Sequence, residues 1–391
     1  MKTKKLYDID AYAITFSAKV VECKKSEIQK NEKKDLYEVV LDKTLFFPEE
    51  GGQTPDKGQL EEIEVLDVQI KGDVIIHYLE QPLEEGKEVS GKIDWEHRFF
   101  NMQQHSAEHI FSGLAYERFG YKNVGFHLSN QIVTMDFDGA FTEAQLEEME
   151  WAVNQVITEN VKIKTGYPSK EELSQLVYRS KIEIDGDVRI VEVTGYDICA
   201  CCAPHVHRTG EIGIFKIQYA QKYKGGTRIS FLCGFRALEE YRKKSKIITE
   251  ISNILTTNQD NLAEHVLKMK NQVQTLKAEL ANAKQEVMMY KISDIPKEQK
   301  HVILFERDLE NLVARNIVNK LVEEHEGICG MFVGADNTGY SFIIGSAVAD
   351  CRDVAKILKE KLDARGGGSA QMVQGSVSAT SKEILDAIGV Y

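Results

Sequence analysis

From Leu262 to Tyr290, apolar or small residues stand at 262, 266, 269, 273, 276, 280, 283, 287 and 290, in unbroken alternating steps of four and three. Four heptads of this regularity predict a long helix with one apolar stripe, because only a period near 3.5 keeps every one of these positions on a single face. Lys, Gln and Glu fill much of the remaining surface. Such a stripe needs a partner, either a second copy of the chain in a homodimer or a face of its own domain. Pro296 closes the run. The helix therefore separates parts that do not share one core. That agrees with 391 residues at roughly 100–200 per domain.

The parts read as an α+β chain. Residues 1–92 form a β-rich, barrel-like domain: Ala11–Glu22 and Leu36–Leu41 are strand-like, with turn signals at 71–73 and Pro82. Residues 93–235 form an α+β domain. Residues 95–125 carry a helix that Gly120 stops, 126–138 read as a strand, and 142–160 as a helix capped by Thr142. Strand-like segments follow at 161–165, 188–193, 212–218 and 227–233. Residues 236–295 make a helical, coiled-coil-like arm. Residues 296–391 make an α/β domain with a glycine-rich loop at 365–369 after its second helix.

The net charge of −12 argues against nucleic-acid binding by the whole surface, but a local basic face is enough to hold phosphates. Residues 216–246 supply one, with nine Lys/Arg against two Glu. No apolar run approaches the ~20 residues of a membrane helix, and Asp8 and Asp10 interrupt the start where a secretory signal would be apolar. The expected compartment is a reducing cytoplasm. Four of the seven cysteines lie between 199 and 233, a grouping that suits a metal better than a disulfide framework.

Two short motifs carry the chemistry. His105 and His109, in His-Ser-Ala-Glu-His, fall at i and i+4 on one helix face. Cys201 and His205, in Cys-Cys-Ala-Pro-His, repeat that spacing ninety-two residues after His109. Together they make an N₃S set suited to one Zn²⁺ per chain. Cys199, Cys202 and His207 compete by proximity, and Cys199 or Cys202 could stand in for Cys201. His-Ser-Ala-Glu-His also fits the inverted zincin pattern, in which Glu108 would be the base of a metalloprotease. That reading leaves Cys201 and His205 idle, and Glu108 is expected off the ligand stripe and solvated. A zinc-stabilised RNA-binding module without hydrolysis is the non-enzymatic alternative.

These motifs resemble the editing domain of alanyl-tRNA synthetase. Cys201 and His205 match the ends of its cysteine loop, and Thr209-Gly-Glu-Ile-Gly213 matches the run that follows. Phe46-Phe-Pro-Glu-Glu-Gly-Gly-Gln53 is similar to its Gly-Gly-Gln loop, and Val124-Gly-Phe-His-Leu128 to the strand after the histidine pair. Gly366-Gly-Gly368 with Gln371-Met-Val-Gln-Gly375 is similar to the glycine-rich C-terminal domain. The whole resembles a freestanding alanyl-tRNA editing protein of the long form. The resemblance implies hydrolysis of the ester in tRNA(Ala) mischarged with serine or glycine. Cys202-Ala-Pro204 replaces the family's Gly-Gly-Thr between the ligands, so the loop is altered while its ends are kept.

Against that background, Gln53 is expected to hold a water or the ribose. Gly51 and Gly52 would bring backbone N–H groups to an ester or phosphate. Thr44 offers a hydroxyl that could bond a serine side chain and reject alanine. His127 alternates toward a pocket or a core. Lys222, Lys224 and Arg228 in the basic stretch, and Arg365, Gly366, Gly367 and Gly368 in the tail, are the candidate tRNA contacts.

Overall fold

The computed structural model describes residues 2–27, 35–129, 132–180 and 186–389. They form two compact units, Met1–Ile248 and Thr249–Tyr391. The fold is α+β.

The first unit begins with a seven-stranded sheet. Its order is Ile63–Val65, Gly58–Leu60, Glu88–Ile93, Thr15–Lys25, Tyr37–Leu41, Val74–Leu79 and Asp67–Lys71. The two outermost strands are separated in sequence by Leu66 alone, so the sheet curls back on itself and is barrel-like. Glu88–Ile93 alternates exposed and buried positions, whereas Val39, Val40 and Leu41 are buried in succession. The interior is filled by Tyr7, Val20, Leu41, Phe46, Phe47, Val68 and Ile75.

His77 lies wholly within this part. Its Nε2 is 2.9 Å from Thr44 Oγ1 and its Nδ1 is 3.1 Å from the Val39 carbonyl oxygen. Burial pulls its pKa down to about 4. An unfolded histidine titrates near 6.5, so below that pH the unfolded chain takes up a proton that the fold refuses. Stability is therefore expected to fall by roughly 3 kcal/mol between pH 7 and pH 4 through this group alone. Urea unfolding at the two pH values checks this. His77→Gln, which cannot titrate, should flatten the dependence by about that amount.

The second part of the unit is built round the helix Trp95–Phe119. Asp94 caps it by accepting from the His97 N–H, and Gly120 ends it in the left-handed conformation at φ 70°. The helix is buried almost continuously from Asn101 to Ala115. Such a helix must be enclosed on every side. A four-stranded antiparallel sheet (Asn123–Leu128, Val133–Phe137, Gly226–Cys233, Phe215–Tyr223), the helix Glu143–Glu159 and a three-stranded sheet (Ile163–Gly166, Ile190–Val193, Asp197–Ala200) surround it. Residues 126–138, read as one strand, are in fact parts of two. Ser129 N donates to the Ile132 carbonyl at 3.0 Å where the chain reverses, and period-two alternation does not register such a reversal.

In the second unit, Leu262–Ser293 is one helix, as the heptads predict. It packs on its own unit through Met288 and Ile292. The stripe itself, including Val266, Met269, Val273, Leu276, Leu280 and Tyr290, is exposed. The sheet order is Val302–Glu306, Cys329–Ala335, Gly339–Gly345, Met372–Val377 and Arg365–Gly368, with only the first pair parallel. Helix Asn311–Glu324 covers one face, and Cys351–Leu362 with Ser381–Ile388 covers the other. The glycine run is an edge strand, not the loop expected from sequence. A Cβ on Gly366 would lie 2.2 Å from the Gln374 carbonyl oxygen, and one on Gly368 2.3 Å from that of Met372. Close backbone approach explains Gly366 and Gly368, whereas a Cβ on Gly367 would meet open space. Among the described residues, no helix is long and apolar enough to cross a membrane.

Candidate metal centre

The Trp95–Phe119 helix carries His105 and His109 on one face, and the loop after strand Asp197–Ala200 carries Cys201 and His205. One ligand atom from each of the four lies within 4.8 Å of all the others. Cys201 Sγ is 3.5 Å from both His105 Nε2 and His205 Nε2. The three imidazoles are buried, and each turns its Nδ1 to a different partner. His105 Nδ1 meets Gln53 Oε1 at 2.9 Å, His109 Nδ1 meets Asp197 Oδ2 at 2.9 Å, and His205 Nδ1 meets Ser106 Oγ at 3.0 Å. An acceptor at Nδ1 fixes the tautomer and leaves Nε2 free to ligate. Three imidazoles and one thiol, all turned inward, suit a tetrahedral divalent ion.

The electrostatics run the same way at Cys201 and His205, whereas His109, despite its burial, is held well above the usual imidazole range by its bonds to Asp197 and Cys201. Burial alone would raise the Cys201 thiol, but His105 and the other two facing imidazoles hold it well below the ordinary thiol range. Burial lowers the His205 pKa to about 3, which keeps that ring neutral. Asp197 is held below its usual value, despite burial, by His109 and by Arg179, whose Nε donates to Asp197 Oδ1 at 2.6 Å. Asp197 also lines a cleft of about 780 Å³ with Tyr116, Lys122, Tyr178, Arg179 and Tyr196.

The competing ligands sit differently. Cys199 is buried in a second grouping with His109 and Asp197. Cys202 faces Gly51, and His207 stacks on Tyr12 at 4.0 Å between ring centroids. Glu108 is buried, contrary to the expectation of a solvated side chain. Ser112 Oγ and Asn123 Nδ2 both donate to its Oε1. Its Oε2 lies 3.9 Å from His109 Nε2, so the carboxylate stands beside the ligand stripe, and the enclosing sheet leaves it no solvent.

The Gly-Gly-Gln turn closes over this cluster. Glu50 and Gln53 exchange backbone hydrogen bonds, and Leu128 N donates to the Gly52 carbonyl at 2.7 Å. Gly51 and Gly52 have φ of 63° and 83°. A Cβ on Gly52 would lie 2.1 Å from the Phe126 carbonyl oxygen, so only glycine fits. The Phe126 ring lies 4.8 Å from that of His105.

The remaining candidates are more scattered. Thr44 is buried and its hydroxyl is engaged by His77 and by the Phe46 N–H. His127 is exposed, opposite Thr134. Lys222 and Lys224 are exposed near the tip of the hairpin Phe215–Tyr223/Gly226–Cys233. Arg228 makes two 2.7 Å bonds to Asp136 and lies over the Tyr223 ring, so its charge is already paired. Arg365 and the three glycines are exposed along their edge strand. Asp197, Ser106 and the Gln53–His105 contact were not singled out from sequence. Ser106 lies inside the histidine motif, but nothing local marks Asp197.

Residues 188–230 match the family described as threonyl and alanyl tRNA synthetase second additional domain, and residues 2–97 match class II (A) tRNA synthetases. The alanyl-tRNA editing protein Aarsd1 of Danio rerio is 29% identical over 95% of this chain and 93% of its own. AlaX-L of Pyrococcus horikoshii is 26% identical over 98% and 96%. Over nearly its whole length, the chain is similar to the alanyl-tRNA editing proteins. Similarity also extends to the alanine–tRNA ligase of Ignicoccus hospitalis, 32% identical over 71% of this chain but 31% of the ligase. These editing relatives thus share both units, while the ligase shares one portion of a longer protein.

Proposed function

We propose that this chain is an aminoacyl-tRNA deacylase that hydrolyses the ester of tRNA(Ala) mischarged with serine, and with glycine as a second substrate. It would act in the cytoplasm, to which its seven unpaired cysteines are suited. The observation that carries the reading is the convergence of three imidazole Nε2 atoms and one thiol beneath a Gly-Gly-Gln turn. His105, His109, Cys201 and His205 would hold one Zn²⁺. The bound ion would supply Lewis acidity for attack of water on the ester.

The chain's own groups do the rest. Gln53 is wholly buried and its Oε1 orients His105. Its Nε2 has no partner among the described residues, so it is free to donate to a substrate oxygen. Gly51 and Gly52 leave the backbone open above it. Lys222, Lys224 and Arg365 with the glycine strand are proposed to contact tRNA phosphates, and the exposed heptad stripe to seam two copies together.

The test is release of serine from Ser-tRNA(Ala), with zinc content measured on the same preparation. One zinc per chain, rapid release, little release from Ala-tRNA(Ala) and loss of activity on chelation are expected. Undiminished release from metal-free protein would refute the zinc assignment, and no release by zinc-loaded protein would refute the deacylase.

A further inference from the structure

Buried polar atoms without a hydrogen-bond partner are rare in folded proteins, and each calls for an explanation. Among the described residues seven side-chain atoms are of this kind. Three of them, Glu50 Oε2, Gln53 Nε2 and Thr54 Oγ1, belong to one five-residue stretch around the Gly-Gly turn. A fourth, the hydroxyl of Tyr7, belongs to a side chain only 1% exposed whose phenol senses the charge of Glu50. The turn sets these atoms beside the ligand cluster. Gln53 Oε1 touches His105, a Cβ on Gly51 would lie 3.6 Å from Cys202 Sγ, and Cys202 is bonded in sequence to Cys201. The Glu50 carboxylate meets the Cys202 thiol, and its Oε2 remains without a partner among the described residues.

The chemistry of the set is specific. Glu50 Oε2 offers an acceptor and Gln53 Nε2 a donor, while the Tyr7 and Thr54 hydroxyls can serve as either. A ligand completing Glu50 and Gln53 together carries an N–H-bearing cation next to a carbonyl oxygen. An α-amino ester has that pattern. Resting on the deacylase reading above, we infer that Glu50 binds the α-ammonium of the aminoacyl group while Gln53 donates to its ester carbonyl. The site would thereby select a free aminoacyl ester over an ester lacking the amine. Glu49, the neighbouring carboxylate, points outward to Gln69 Nε2 at 2.8 Å and takes no part.

The experiment compares two stable amides of 3′-amino-3′-deoxyadenosine, one carrying serine and one carrying the α-hydroxy analogue of serine, by calorimetric binding to the zinc-loaded full chain. Deacylation of Ser-tRNA(Ala) is measured in parallel. A charge-assisted hydrogen bond corresponds to about 10- to 100-fold in affinity. Wild type should prefer the seryl amide by that factor. Glu50→Gln should lose the preference, bind the hydroxy analogue as wild type does, and keep its zinc. Glu50→Asp should recover part of the preference, and Glu49→Gln should match wild type. Equal affinity of wild type for the two amides, or an equal loss on both in Glu50→Gln, overturns the inference even if Ser-tRNA(Ala) is hydrolysed. Absence of hydrolysis with the amine preference intact would instead strike the deacylase reading and leave the ammonium site standing.

Discussion

Replacing Cys201 by alanine should leave the folded protein with little bound zinc and lower serine release from Ser-tRNA(Ala) by more than about 100-fold. The magnitude follows from position. Removing a group that merely supports a ligand costs roughly 10- to 100-fold in metal affinity or activity, and Cys201 is itself at the centre of the cluster. Its sulfur faces His105 Nε2 and His205 Nε2 at 3.5 Å each, and its thiolate is the one anionic donor in the set. Without it, three buried imidazoles remain, an incomplete first sphere for a tetrahedral ion. Elemental analysis and the deacylation assay on one sample check the prediction. Retained zinc with retained activity would show that Cys199 or Cys202 substitutes. Asp197→Asn, which alters only the group behind His109, should fall within the smaller range.

The second large effect concerns the joint between the barrel-like part and the ligand helix. Arg98 and Asp56 are both essentially unexposed and are joined by hydrogen bonds and an ion pair. Arg98 also donates to the carbonyls of Leu45 and Ala11, and Asp56 Oδ2 accepts from the Phe47 N–H at 2.6 Å. One guanidinium thereby ties both sides of the Gly-Gly-Gln loop to the helix that bears His105. Arg98→Met should destabilise the protein by about 3–5 kcal/mol, because it leaves an uncompensated carboxylate in the interior. Replacing both partners, as Arg98→Met with Asp56→Leu, should cost less than the single change, since no buried charge is then stranded. Denaturant unfolding of the two variants gives the comparison. A single variant as stable as wild type would mean that water reaches Asp56.

Both effects depend on residues whose partners lie far away in sequence, and that marks how far the chain was legible beforehand. Heptad spacing and the i, i+4 histidines are properties of a single helix, so the long helix and the His105–His109 pair could be read directly. The Cys201–His205 pair could be read as a repeat of that spacing. Their meeting with the histidines could only be expected, because ninety-two residues and two sheets intervene. Glu108 is misjudged from sequence for a related reason: helical spacing predicts that it leaves the ligand stripe, but cannot show that packed elements enclose that helix and hold its carboxylate 3.9 Å from His109 Nε2. The 365–369 run was read as a loop because glycine ordinarily interrupts a strand. Here it permits the backbone of one edge strand to lie close against the next.

What the amino-acid order determined by itself, then, is the set of local periods and turns: the helix that carries two imidazoles, the loop that carries a thiol and a third, and the Gly-Gly turn whose positive φ angles no other residue adopts easily. Only the tertiary structure decided which polar groups stand behind each imidazole, that Asp197 and Ser106 are among them, and that Gln53 reaches His105 across fifty-two residues of chain. Hydrogen bonds of that kind depend on where independent elements come to rest. Side-chain packing settles that position, and no local pattern encodes it.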